Sequence, residues 1–159
     1  MKSYRFFLES SKYFLDSYST CDAKEKEYAT FASVLFSWTA LESYVNMRFE
    51  SLSQGSRIKP HERAFLLEEE LKVDSEGKFV SITIHPTLSK KILFLIEYFS
   101  KVSVATFKTK FGRDLTTFED LRNKIVHYKE GSINAISFNK ANEYRDFVLN
   151  LIKYLNRHV

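Results

Sequence analysis

Phe31-Ala32-Ser33-Val34-Leu35-Phe36-Ser37-Trp38-Thr39-Ala40-Leu41-Glu42-Ser43-Tyr44-Val45-Asn46-Met47-Arg48-Phe49 is the stretch that settles the fold class. Phe31, Val34, Leu35, Trp38, Leu41, Val45 and Phe49 recur at intervals of three and four, which gathers them onto one stripe of an α-helix. The periodicity predicts one helix from Ala23 to about Leu52, ended by Gln54-Gly55-Ser56. With only four Gly and two Pro in 159 residues, the chain has few breakpoints and favours long helices over a turn-rich sheet.

Outward from this helix the same spacing repeats. Phe6, Phe7, Tyr13 and Phe14 predict a helix from Tyr4 to about Ser19, and Ser19-Thr20-Cys21-Asp22 supplies a break and an N-cap. On the other side, Pro60 opens a short helix over His61 to Glu69. Leu71-Lys72-Val73 and Lys78-Phe79-Val80-Ser81-Ile82 flank Asp74-Ser75-Glu76-Gly77, the pattern of a small hairpin. Further helices are expected over Thr87–Ser100, Thr117–Tyr128 (with Gly131 as its stop signal) and Asn139–Arg157, with a looser region before Gly112-Arg113-Asp114. The last helix turns Tyr144, Phe147, Val148, Leu151 and Leu155 inwards. The expected architecture is one all-α domain over residues 1–159, a helical bundle with a β-hairpin insertion around 71–82.

A chain of this length buries a core without metal or disulfide staples. The lone Cys21 forms no internal disulfide, so nothing indicates an oxidising compartment. Met1-Lys2-Ser3 leads into mixed polar and aromatic residues, and the most apolar run, Ile92 to Phe99, is interrupted by Glu97 and too short to span a bilayer. A soluble, cytoplasmic protein without membrane association is expected. The formal charge of +4 accommodates a nucleic acid ligand without requiring one.

Two charges break the pattern. At about 100° per residue, Phe118, Leu121, Ile125 and Tyr128 mark the buried arc of the Thr117–Tyr128 helix, with Val126 at its other edge. Arg122 falls inside that arc, and Glu42 falls near the centre of the stripe on the long helix. An unpaired buried charge costs several kcal/mol, so Glu42 and Arg122 are expected to meet across the helix interface, where a guanidinium fork suits a carboxylate. Such a pair is equally an architectural lock between two helices. His127 lies on the polar side with Asn123, near the helix end. Five residues separate it from Arg122, about 140° around a regular helix. A long Arg reaching round, or groups from two subunits meeting across a two-fold axis, are the two ways to one site.

Other chemistry finds little support. His61, His85 and His158 lie in different segments without ligand-like partners, and no Cys pair exists, so no metal and no cofactor are expected. Neither a Gly-x4-Gly-Lys phosphate loop nor a Gly-x-Ser-x-Gly elbow occurs. Glu68-Glu69-Glu70 reads as a solvated helix end.

Arg122-Asn123-Lys124-Ile125-Val126-His127 resembles the Arg-x(4–6)-His signature of HEPN domains (higher eukaryotes and prokaryotes nucleotide-binding), in the variant with Asn directly after Arg. The motif ends an amphipathic helix with one further helix after it, and Thr39-Ala40-Leu41-Glu42-Ser43-Tyr44-Val45-Asn46 is similar to the family's long second helix. The resemblance implies a bundle that dimerises with its two motifs facing across a cleft, and in many members a metal-independent ribonuclease. There the RNA 2′-OH attacks the adjacent phosphate, leaving a 2′,3′-cyclic phosphate and a 5′-OH. His127 would move the proton, Arg122 would meet the phosphorane charge, and Asn123 would orient either one. Lys124 and Lys129 would hold the flanking RNA backbone, although each also reads as a solvated surface charge. The implied partners are RNA, a second copy of the chain and, for a toxin or phage-defence effector, a cognate antitoxin or regulator. Members with Arg-x4-His-x-Tyr carry a Tyr that is modified; here Tyr128 directly follows His127 and Lys129 stands at that place. The competing expectations are a non-catalytic module binding RNA, a nucleotide or a protein through the same cleft, and a plain interaction scaffold.

Overall fold

The computed structural model describes residues 3–127 and 136–159. The expectations placed on Tyr128, Lys129 and Gly131 lie outside the described residues. Seven helices and one hairpin follow in order: α1 (Ser3–Ser17), α2 (Ala23–Ser53), α3 (Pro60–Leu66), β1 (Glu69–Val73), β2 (Phe79–Thr83), α4 (Leu88–Phe99), α5 (Val104–Phe107), α6 (Arg113–Val126) and α7 (Phe138–His158). The helix starts follow capping chemistry. The Asp22 carboxylate accepts the Glu25 N–H at 2.8 Å while Glu25 accepts the Asp22 N–H at 2.9 Å, a reciprocal box that opens α2. Pro60 is the first residue of α3, where a missing N–H costs nothing. The Ser137 hydroxyl accepts the Lys140 N–H at the start of α7.

The core is built around α2. Val34, Trp38, Leu41 and Val45 meet Ile92, Leu95 and Ile96 of α4, Phe107 of α5, and Tyr144, Val148, Leu151 and Leu155 of α7 in one cluster, all almost completely buried. Helix α1 is joined to α2 by a polar contact. The Ser11 hydroxyl lies 3.0 Å from that of Ser33 and 2.7 Å from that of Ser37, and all three residues are fully buried. Small side chains let the two backbones approach, and the hydroxyls satisfy one another there.

The hairpin is antiparallel, in register from Glu69↔Thr83 to Val73↔Phe79. Asp74 makes its turn: the carboxylate accepts the N–H groups of Glu76 and Lys78, each at 2.9 Å, and Gly77 takes φ +79°. A lone two-stranded hairpin is marginal in water, and this one is pinned at its base. Glu68 adopts φ +59°, its carbonyl accepts the Ile84 N–H at 2.7 Å, and its carboxylate bonds the buried ammonium of Lys91. Lys91 also donates to Asn46 Oδ1 at 2.9 Å, tying the hairpin to α4 and α2.

Three expectations shift. The short helix stops at Leu66, because Glu68 in the left-handed region turns the chain into β1. The looser region is helical: α5 runs through a wide π turn, Lys108–Gly112, into α6, which starts at Arg113 instead of Thr117. At the other end α6 closes with His127 as its C-cap, and Val126, expected at the edge of the buried arc, is 49% exposed. On that last turn Ile125 takes the core position, and Val126, 100° further round, points out. Among the described residues no helix is long and apolar enough to cross a membrane.

Candidate functional site

Helices α2 and α6 bring Glu42 and Arg122 together. Arg122 Nη2 lies 3.5 Å from Glu42 Oε1, the same oxygen that accepts the Trp38 indole N–H at 2.8 Å. Trp38 and Glu42 are four residues apart on α2, so one helix face presents the donor beneath the acceptor, and a buried indole N–H needs such a partner. The other arm of the guanidinium, Nη1, donates to Asn123 Oδ1 at 3.0 Å.

The pairing expected from sequence is present, but its setting differs. The side chains of Arg122 and Glu42 are 30% and 37% exposed, so the pair sits at the rim of the α2–α6 seam instead of inside the core. The long stem of Arg122 occupies the arc position while its charged head reaches solvent, which removes the desolvation cost that a Leu-like position would impose.

Tyr144, read from sequence only as core, belongs to this site. Its ring packs edge-on to Phe118 at 4.5 Å and lies 6.4 Å from the Trp38 ring. The residue is fully buried, and its hydroxyl finds no hydrogen-bond partner among the described residues. Burial holds the phenol well above the ordinary tyrosine range; Arg122 pulls it back, and Glu42 and Glu119 push it further up. Glu119, half-buried on α6, is held by the Ser89 hydroxyl at 2.5 Å. In the sequence Tyr144 is legible only as one member of the inward stripe of α7, and no pattern sets Glu119 apart.

His127 and Lys124 are exposed, as is Asn123. The His127 N–H closes the helix on the Asn123 carbonyl at 3.0 Å, which fixes its backbone while its imidazole faces outward. Within one chain the Arg122 head is therefore turned to α2 and Asn123, with His127 left on the open end of α6. Asn123, Lys124 and His127 are exposed and Arg122 is half-buried. A groove lined by Lys110, Lys140, Lys153 and Arg157 together with Asp114, Glu143 and Asp146 contains none of Glu42, Arg122 and His127. Among the described residues no three His, Cys, Asp or Glu side chains are grouped to hold a metal ion.

No curated protein and no solved structure matches the chain. The model of one domain family, RiboL-PSP-HEPN, matches residues 8–159. That match takes in every helix described above except Ser3 to Phe7 of α1, together with Glu42, Arg122 and His127, and the chain belongs to the RiboL-PSP-HEPN family.

Proposed function

We propose that this HEPN module is a metal-independent endoribonuclease whose working site is completed by a second copy of the chain. The observation that carries the reading is the setting of Arg122, Asn123 and His127: a guanidinium held at the rim of the α2–α6 seam, and an exposed imidazole at the C-terminal end of the same helix.

The chemistry needs three things. A proton must leave the ribose 2′-OH and another must reach the departing 5′ oxygen, and histidine is suited to both transfers. Negative charge gathers on the phosphorane oxygens as the 2′ oxygen attacks, and a guanidinium with fixed donors stabilises it. The nucleophile must lie in line with the leaving oxygen, a matter of positioning that flanking contacts to phosphates supply. His127 takes the first task and Arg122 the second, with Asn123 orienting the guanidinium through its 3.0 Å hydrogen bond. Lys124, exposed in the last turn of α6, and Lys129 hold flanking phosphates.

A two-fold axis beside the ends of two α6 helices would bring the His127 of one protomer to the Arg122 of the other. This overcomes their divergence around a single helix. Mixing separately inactive Arg122→Ala and His127→Ala proteins tests the arrangement: hybrid dimers regain one intact site, so partial recovery of cleavage supports a shared site, and no recovery from well-mixed dimers counts against it.

The second reading, a non-catalytic module that binds RNA, a nucleotide or a protein, draws on one observation. Arg122 is engaged on both arms in the free chain, by Glu42 and by Asn123. It predicts saturable binding of an RNA strand without turnover.

A further inference from the structure

The Tyr144 hydroxyl is enclosed at the junction of α2, α6 and α7 with no hydrogen-bond partner among the described residues. A buried, unmatched hydroxyl is costly and is seldom kept without a use. The charges acting on it are those of Arg122, Glu42 and Glu119, in that order of strength. Glu119 already has a donor in Ser89, whereas Glu42 depends on Trp38 and on Arg122 at 3.5 Å.

The ribonuclease reading, on which this inference rests, requires Arg122 to turn its fork toward a phosphate. Doing so removes the cation from Glu42, leaving that carboxylate with the Trp38 N–H and the solvent that reaches about a third of its side chain. We propose that Tyr144 is a positioning residue: its hydroxyl donates to Glu42 when Arg122 moves onto the substrate phosphate, holding the carboxylate in place and releasing the arginine at little cost. In the resting chain Glu42 restrains Arg122; in the loaded chain Tyr144 replaces Arg122 on Glu42. The step is an exchange of hydrogen-bond partners, with no bond made or broken. Phenol and carboxylate form one of the shorter, stronger pairs, and Phe118 and Trp38 pack against the Tyr144 ring, which holds its hydroxyl at this junction.

Trp38 is the sole tryptophan of the chain, and its indole N–H is bonded to the carboxylate in question. Its single indole resonance therefore reports on Glu42 without any need for turnover. The experiment compares wild type and Tyr144→Phe by that resonance and by affinity, using a single-stranded 2′-O-methyl oligonucleotide in EDTA as a ligand that cannot be cleaved. The expected result is the same indole signal in both free proteins, a different signal in the two bound states, and binding roughly tenfold weaker in the variant, the worth of one hydrogen bond to a charged group. A Glu42→Gln/Tyr144→Phe double variant is expected to bind no worse than Glu42→Gln alone. Identical bound-state signals and equal affinities in wild type and Tyr144→Phe overturn the inference while leaving the ribonuclease reading standing. A wild type that binds no strand overturns both. Strand binding with the expected indole difference, but no cleavage of ordinary RNA, sustains the role of Tyr144 and removes only the catalytic reading.

Discussion

Glu42 on α2 and Arg122 on α6 approach to 3.5 Å with about a third of each side chain open to solvent. The same glutamate oxygen holds the Trp38 indole at 2.8 Å, and the same arginine holds Asn123 at 3.0 Å. Four residues on two helices thus form a short polar chain at the rim of an aromatic core. The pair is open enough to exchange partners, and this separates it from the fully enclosed lock that the helical wheel suggested.

Because the pair is half-exposed, breaking it should cost little stability. Glu42→Gln is expected to fall within about 1 kcal/mol of wild type in urea unfolding, the range of a solvated ion pair. A loss of several kcal/mol would mean that the pair is an architectural lock.

On the ribonuclease reading, Arg122 acts through its fork as well as its charge. Arg122→Ala is expected to lower single-turnover RNA cleavage by roughly 10²–10³-fold, in line with loss of one charge-stabilising donor. Arg122→Lys should keep only part of the rate, since an ammonium cannot reproduce the planar, two-armed contact. Full activity in the lysine variant would reduce the role of Arg122 to bulk charge.

Lys91 anchors the hairpin to the bundle through Glu68 and Asn46. Its side chain is 10% exposed and that of Glu68 is 32% exposed, so Lys91→Met strands a carboxylate that water reaches in part. The expected loss is about 1–3 kcal/mol, the cost of leaving one buried group unmatched. Hydrogen exchange should speed up first in β1 and β2. Unchanged protection there would contradict the anchoring role.

Alkaline pH should separate Tyr144 from exposed tyrosines. Its folded pKa is raised, chiefly by burial, so the native state keeps the proton where the unfolded state gives it up. The stability that this supplies is fully present below the unfolded value of about 10 and is lost as pH rises from there through the folded value. Tyr44, also raised by burial, acts in the same direction. Tyr144→Phe is therefore expected to flatten the fall in melting temperature above that pH, and an equally steep fall would contradict the assignment.

The parts of the fold legible from sequence were those governed by local periodicity and turn chemistry. The stripe from Phe31 to Phe49 marked α2, and Asp74 to Gly77 marked the hairpin turn. The segment before α6 was obscured by Gly112, which reads as a breaker yet sits at helical φ −62°, ψ −44°. Phe107, Phe111, Leu115 and Phe118 follow one another at steps of four, four and three and all reach the core, a helical spacing that continues through the wide turn over Lys108–Gly112 and that the apparent break at Gly112 concealed. At the site, the charge pattern pointed to Glu42 and Arg122, but burial at one helix position does not say how far a long side chain reaches. The half-open geometry and the involvement of Trp38 and Tyr144 arise from three helices meeting, which no single wheel contains.

The central proposal is that the protein cleaves RNA by attack of the RNA's own 2′-OH on the adjacent phosphate, with His127 moving the proton. The most direct measurement uses a labelled 2′-O-methyl strand containing one ordinary ribonucleotide, in EDTA, with wild type and His127→Ala compared. The account predicts a cut by wild type only on the 3′ side of that ribonucleotide, with a 2′,3′-cyclic phosphate and a 5′-OH, and no cut by a folded His127→Ala protein. Cutting elsewhere in the strand, ends lacking the cyclic phosphate, or equal cleavage by His127→Ala would contradict it.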